Sequence, residues 1–169
     1  MKKQPFFVLF FLAAILAVFS GCMKKQNYSI VPEISLLGFE LAYDTGQYPK
    51  SGLLTFSYQD GDGDIGLNPG DTFPPFHKNG QYYYNLVITY YEKQNGVFTP
   101  VDLTIPFSAR IPVLAPDDPN KAIKGYIEET LALYPPPKHD TIKFEAFIYD
   151  RALHKSNVIT TPVIVLRRN

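Results

Sequence analysis

Acidic side chains alternate with glycine in one short stretch of the chain. Asp60, Asp62 and Asp64 are separated by single glycines, and Asn68 and Asp71 follow closely. Because glycine lets the backbone turn freely, the three aspartate carboxylates can converge on one point. Calcium prefers six to eight oxygen ligands supplied by carboxylates, carbonyls and water. The pattern therefore predicts a calcium site formed by Asp60, Asp62, Asp64, Asn68 and Asp71.

The spacing of these residues partly matches the calcium-binding loop of an EF-hand. Positions 1, 3, 5 and 12 of that template fall on Asp60, Asp62, Asp64 and Asp71. Position 6 must be glycine for a sharp turn but is Ile65, and position 12 is aspartate instead of a bidentate glutamate. The stretch is therefore no EF-hand and at best a calcium loop between β-strands. The other interpretation, which we favour from the sequence alone, is a solvated turn that needs no ion.

A further aspartate, Asp150, stands beside Arg151 at the end of a predicted strand. Asp150 could approach the acidic loop as an additional ligand. Alternatively, Asp150 and Arg151 pair with each other at the surface or cap a hairpin, and this is the interpretation we favour from the sequence.

Side chains that commonly act in catalysis are not grouped in the sequence. His77, His139 and His154 are scattered and are predicted to be exposed loop residues. No Gly-x-Ser-x-Gly motif occurs, and no His and Cys cluster has the spacing of a zinc site. The small residues of the acidic loop offer no apolar pocket that would raise the pKa of one carboxyl group for acid catalysis. We therefore expect that the protein is not an enzyme.

Tyrosines form a second candidate binding region. They are concentrated in one predicted strand, at Tyr82, Tyr83, Tyr84, Tyr90 and Tyr91. Aromatic faces of this kind can stack on sugar rings or on a partner protein, which makes Tyr83 and Tyr91 candidate ligand-binding residues. The alternative is that these tyrosines fill the core of the domain and its rim.

The single cysteine follows an apolar segment near the amino terminus. Two lysines precede an apolar run over residues 6–19, and small residues follow before Cys22. This order is typical of a secretory signal, and the run is shorter than the roughly 20 residues that span a bilayer. Residues 19–22 resemble the lipobox of bacterial lipoproteins, in which the cysteine is lipidated and becomes the new amino terminus. We expect a signal peptide at 1–21, with the lipidated cysteine and a tether at 22–32.

The charge balance changes when the signal is set aside. The whole chain has 16 basic and 16 acidic residues, and residues 1–21 contain two of the basic ones and none of the acidic ones. The remaining net charge of −2 argues against a nucleic-acid partner. A lipid on Cys22 predicts stable attachment to a membrane. The resemblance to bacterial lipoproteins implies that surface-exported members carry acidic residues just after the cysteine, so Lys24 and Lys25 favour the periplasmic face over the cell surface.

The rest of the chain alternates apolar and polar residues and is often interrupted by Gly, Pro, Asn and Asp. Strands are predicted at 33–43, 52–59, 82–92, 96–103, 105–111, 122–132, 141–150 and 157–167, of which 122–132 could also be a helix. Asn95 and Gly96 between two of them indicate a hairpin turn. Seven or eight short strands predict an all-β fold, an antiparallel immunoglobulin-like β-sandwich over residues 33–169. A jelly roll would also fit the spacing.

Residues 56–67, which contain the sequence Asp-Gly-Asp-Gly-Asp-Ile-Gly-Leu, resemble the strand-loop signature of uncharacterised outer-membrane lipoproteins of Bacteroidetes-type bacteria. Residues 110–112, 120–125 and 149–162 are similar to the same family. The resemblance implies an outer-membrane lipoprotein with a β-sandwich, and it implies no activity. We expect a lipid-anchored module of the cell envelope, structural or interacting with an envelope protein. The alternative is a carbohydrate-binding accessory lipoprotein that uses surface tyrosines for a glycan.

Overall fold

The computed structural model describes residues 28–43, 48–114, 121–133 and 136–166, which form eight β-strands and no helix. The strands are β1 (Glu33–Tyr43), β2 (Pro49–Asp60), β3 (Leu86–Gln94), β4 (Val97–Pro100), β5 (Ile123–Ala132), β6 (Thr141–Ile148), β7 (Ile159–Thr160) and β8 (Ile164–Val165). The prediction of an all-β, antiparallel β-sandwich is confirmed. The predicted signal peptide and Cys22 lie outside the described residues.

The strands form two antiparallel sheets. One has the order β1-β2-β5, and the other has the order β4-β3-β6-β7, with β8 also pairing with β6. In immunoglobulin-like sandwiches, strands A, B and E are likewise separated from strands C, F and G. The long loop after β2 and the short loop after β6 therefore begin at strands of different sheets.

The core lies between the sheets and follows the two-residue period of the strands. On β6, Ile142, Phe144, Ala146 and Ile148 are all buried, and the residues between them are partly exposed. Phe144 is at the centre of this core, because its ring packs against those of Phe39, Tyr90 and Phe107. Inward positions of both sheets are thus identifiable from the alternation alone.

Several predicted strand boundaries are confirmed, and the differences have local causes. Residues 123–132 are a strand and not a helix. Asn95 and Gly96 both have positive φ, at 51° and 87°, as a two-residue hairpin turn requires. The strand predicted at 157–167 is divided into β7 and β8, because Pro162 between them has no N–H to donate.

Two predicted strand segments are wrong. Residues 105–111 make only an isolated bridge, between Ala109 and Leu86, because Ile88 N donates to the Ser108 hydroxyl instead of to a backbone carbonyl. Residues 82–85 precede β3 in a turn, in which Tyr83 N donates to Gly80 O at 3.1 Å. The tyrosine-rich segment is therefore part loop and part strand.

Candidate metal centre

Two aspartates are buried between the sheets at the same end of the sandwich. Asp60 is the last residue of β2, and Asp150 lies two residues after the end of β6. Their side chains are 0% and 1% exposed. Each continues the inward alternation of its strand, Asp60 after Phe56 and Asp150 after Ile148. The fold thus places one carboxylate from each sheet where a core residue would otherwise lie.

The loop after β2 follows a path that only glycine allows. Gly61 N donates to Ser29 O at 2.7 Å, and a Cβ on Gly61 would lie 2.4 Å from the Tyr28 carbonyl oxygen. Gly63 has a φ of +71°, and a Cβ there would lie 2.1 Å from the Lys121 carbonyl oxygen. These close backbone contacts bend the loop inward and turn its carboxylates towards Asp150.

Three carboxylates meet at one point. Asp60, Asp64 and Asp150 each place a carboxylate oxygen within 4.8 Å of the others. Asp60 Oδ2 accepts from Asp64 N at 3.0 Å, and Asp64 Oδ2 accepts from Ala152 N at 3.0 Å. Asp62 lies beside Asp60, close enough for its charge to raise the pKa of Asp60. The site therefore contains three clustered carboxylates and a fourth next to them.

Several oxygens in this cluster have no hydrogen-bond donor. The Oδ1 atoms of Asp60, Asp62 and Asp64 are buried, and no group in the described part of the chain donates to them. Burying a charged oxygen without a partner is costly, and native proteins rarely do so. These oxygens are consequently available to coordinate a cation.

His154 fixes the orientation of the Asp150 carboxylate. Its backbone N–H donates to Asp150 Oδ1 at 2.7 Å, and its ring Nδ1 lies 2.9 Å from Asp150 Oδ2. The hydrogen bond and charge of Asp150 raise the pKa of His154. His154 and His139 lie in loops as predicted, but both are half-buried and not exposed, and His139 is hydrogen-bonded to Glu92. Both loops fold back onto a carboxylate.

Electrostatic repulsion accumulates at this site. Burial, followed by the charges of Asp62 and Asp64, raises the pKa of Asp60 to about 7. Burial also raises the pKa of Asp64, with the charges of Asp150 and Asp62 adding to it. The sequence-based expectation that nothing near the loop would raise a carboxyl pKa is therefore wrong, because the loop is folded between the sheets. A cation would replace this repulsion with attraction.

Two of the five predicted ligands lie away from the cluster. Asp71 forms an ion pair with Arg151, and its Oδ2 also accepts from Asn68 N at 2.7 Å. Asn68 is exposed. The structure therefore brings together Asp60, Asp62 and Asp64 but not Asn68 or Asp71. The favoured interpretation of Asp150 and Arg151 is wrong in one part, because Arg151 pairs with Asp71 and Asp150 is buried. Its other part fits the structure, because Asp150 Oδ1 accepts from His154 N and so caps the loop after β6.

The role of Asp150 could have been found from the alternation on β6. Residues 142, 144, 146 and 148 are predicted to point inward, so residue 150 has the same orientation if the strand direction continues for two more residues. An aspartate at an inward position needs a partner. His154, in contrast, is four residues further along a loop, and no sequence pattern indicates that its side chain turns back.

The two candidate ligand-binding tyrosines lie apart. Tyr83 precedes β3, and the Arg110 guanidinium lies 5.0 Å from the centre of its ring. Tyr91 is on β3, donates its hydroxyl to Glu145 at 2.8 Å, and has Lys143 Nζ 4.6 Å from its ring centre. Both rings therefore contact cationic side chains of this chain. The structure does not join them into one platform, and glycan binding through them stays a prediction.

A buried group formed by Asp60, Asp64 and Asp150 can thus hold a metal ion. Among the described residues, no helix is long and apolar enough to cross a membrane. No protein family model, curated protein or solved structure matches the chain.

Proposed function

We propose that this protein is a cell-envelope β-sandwich module whose fold is stabilised by a calcium ion at the acidic cluster. The observation that carries the proposal is the burial of the Asp60 carboxylate without a hydrogen-bond donor for one of its oxygens. Its side chain is wholly buried, and its Oδ1 has no donor among the described residues, although it faces Asp64 and Asp150. A calcium ion bound to these oxygens would connect β2 of one sheet to the loop after β6 of the other.

The ligand types favour calcium over other common metal ions. Zinc prefers sulfur and nitrogen ligands, whereas the clustered groups here are carboxylates. Magnesium retains several waters and is usually held by one or two carboxylates. Four carboxylates in a partly buried site are more typical of calcium, which accepts a larger and less regular set of oxygens.

The proposed cation has a structural role in this interpretation. The loops after β2 and β6 already contact each other, because Arg151 N donates to Asp64 O and Ala152 N donates to the Asp64 carboxylate. A calcium ion would add bonds to the charged oxygens and remove their mutual repulsion. The module would therefore be most rigid at this end, as suits a lipid-anchored structural or interaction domain in a compartment that contains calcium.

Calorimetric titration of the full chain with calcium tests the proposal. We expect stoichiometric binding, and a melting temperature about 5–10 °C higher in calcium than in chelator if calcium is at about 100 times its Kd. Asp60→Asn and Asp150→Asn should each weaken calcium binding by about tenfold or more. Asp71→Asn tests which residues bind the ion, because the sequence pattern includes Asp71 among the ligands and the structure places it outside the cluster.

The control for these variants is Asp102→Asn, since Asp102 is exposed and distant in sequence from the cluster. It should bind calcium like the unchanged chain. Absence of heat on titration, together with a melting temperature that chelator does not change, would contradict the proposal. Equal affinity for magnesium and calcium would contradict the choice of ion.

A further inference from the structure

A cavity of about 670 Å³ opens between the two sheets and is lined in part by charged side chains. Its walls include the apolar residues Tyr90, Leu103, Ile105, Phe107 and Leu133 and the polar residues Thr104, Ser108, Thr130 and Lys138. This size and lining are typical of sites for small organic ligands. The cavity is at the opposite end of the sandwich from the acidic cluster, because its residue Glu92 pairs with the start of β6 at Ile142.

Each sheet contributes one glutamate to this cavity. Glu92 is at an inward position of β3, after the buried residues Ile88 and Tyr90. Glu129 is at an inward position of β5, directly opposite the buried Leu54 of β2. Both side chains line the cavity. Two carboxylates are thus turned into this space, which Lys138 also lines, at positions where the strand pattern would place core residues.

The two glutamates differ in their hydrogen bonding. Glu92 accepts from the Tyr90 hydroxyl at 2.8 Å and from the backbone N–H groups of Lys138 and His139, and its Oε2 lies 2.5 Å from Nδ1 of the His139 ring. Burial opposes its ionisation, but these hydrogen bonds leave its pKa lowered, so it carries a negative charge at neutral pH. For Glu129, burial raises the pKa, and no group in the described ranges donates to its carboxylate.

We propose that this cavity binds a small organic cation with an apolar body, such as an alkylammonium compound, whose charged group is held by Glu129. The apolar walls would cover the body of the ligand, and the cation would donate a charge-assisted hydrogen bond to the Glu129 carboxylate. Lys138 in the lining and the His139 ring beside Glu92 offset the charge of Glu92, so the preference for a cation rests on Glu129. The aromatic rings of Tyr90 and Phe107 add surfaces that favour cations. This inference does not depend on the calcium site.

Three probes of equal chain length separate charge recognition from simple apolar binding. The full chain, in excess calcium, is titrated with n-hexylammonium, 1-hexanol and hexanoate, and methyl NMR signals of Ile105 and Leu133 report on the cavity. We expect hexylammonium to bind about tenfold more tightly than hexanol, with hexanoate weakest. Equal affinities for the three probes, or no shift of the cavity methyl signals with any of them, would overturn the proposal.

Variants of two adjacent glutamates locate the cation. Glu129→Gln should remove the preference for hexylammonium over hexanol while hexanol still binds. Glu128→Gln is the matched control, because Glu128 is the preceding residue on β5 and is exposed on the opposite face. It should keep the preference. If Glu129→Gln also keeps the preference, or if both variants lose it equally, Glu129 does not hold the cation and the proposal fails.

Discussion

Two histidine side chains in this protein are held by hydrogen bonds to buried carboxylates. His154 and Asp150 illustrate this, since two donors of one residue bind both oxygens of the other. A residue that orients a metal ligand typically contributes about 10- to 100-fold to metal affinity. We therefore expect His154→Ala to weaken calcium binding by about tenfold, as measured by calorimetric titration.

The control for this variant is His77→Ala, because His77 is exposed and lies in a different loop. Its calcium affinity should be unchanged. If His154→Ala binds calcium as tightly as the unchanged chain, His154 does not position Asp150. A melting curve in chelator separates this effect from a general loss of stability.

Glu92 provides a pH-dependent contribution to stability. Its pKa in the folded chain is below the ordinary value of 4.5, because its hydrogen bonds outweigh the effect of burial. Its ionised form therefore stabilises the fold above about pH 4.5, and that contribution is lost as the pH falls below 4.5 towards the lower folded-state pKa. We expect Glu92→Gln to lower the free energy of unfolding by about 2–3 kcal/mol at pH 7 and by less at pH 3.5.

Denaturant unfolding of the unchanged chain and of Glu92→Gln in chelator, at both pH values, checks this expectation. The difference between their free energies of unfolding cancels the contribution of the aspartate cluster, which both chains contain. Glu128→Gln is again a suitable control, since that side chain is exposed. A difference that is constant with pH would contradict the assignment to Glu92 ionisation.

At the scale of elements, the proposed cation joins two loops that belong to different sheets. Amides in residues 61–66 and 150–154 should exchange more slowly in calcium than in chelator, because local opening must then break metal bonds. Hydrogen exchange measured by mass spectrometry checks this. The hairpin between β3 and β4 is the internal reference and should not change. Uniform slowing over the whole domain would instead indicate a global effect on stability.

Strand periodicity explains which elements could be predicted from the sequence. β6 is easily recognised because Ile142, Phe144, Ala146 and Ile148 alternate without interruption, and Asn95-Gly96 identifies a hairpin by its turn chemistry. Residues 105–111 also have a plausible pattern, but the Ser108 hydroxyl replaces a backbone partner of Ile88, and no periodicity reveals that. Local patterns predict strands, whereas side-chain bonds between distant segments decide their ends.

The candidate site was predictable to a similar extent. The converging carboxylates of Asp60, Asp62 and Asp64 follow from local glycine spacing. Asp71 was included because the spacing alone cannot show that Arg151, eighty residues later, pairs with it. The contribution of Asp150 depends on the packing of β6 against β2, which is a property of the tertiary fold. Contacts between the two sheets therefore determine which aspartates belong to the site.

For the whole molecule, the proposed envelope location depends on Cys22. The chain has one cysteine, so an internal disulfide is impossible and a lipid is the modification that its sequence context favours. We expect intact-mass measurement of the chain from bacterial membranes to show a diacylglyceryl-linked, acylated amino terminus at Cys22. Cys22→Ser should abolish the modification and release the protein from the membrane fraction. Gln26→Ala, in the tether after the cysteine, is a control that should leave both unchanged.

For the proposed envelope location, the acidic cluster also has a consequence for the order of events during export. Asp60 and Asp150 are 90 positions apart in the sequence. A chain that crosses a membrane amino terminus first exposes Asp60 long before Asp150, so a partly translocated chain cannot complete the cluster. The stabilisation that we attribute to calcium would then begin only when β6 and the loop after it have arrived. Only chains that have emerged almost completely would then bind the ion.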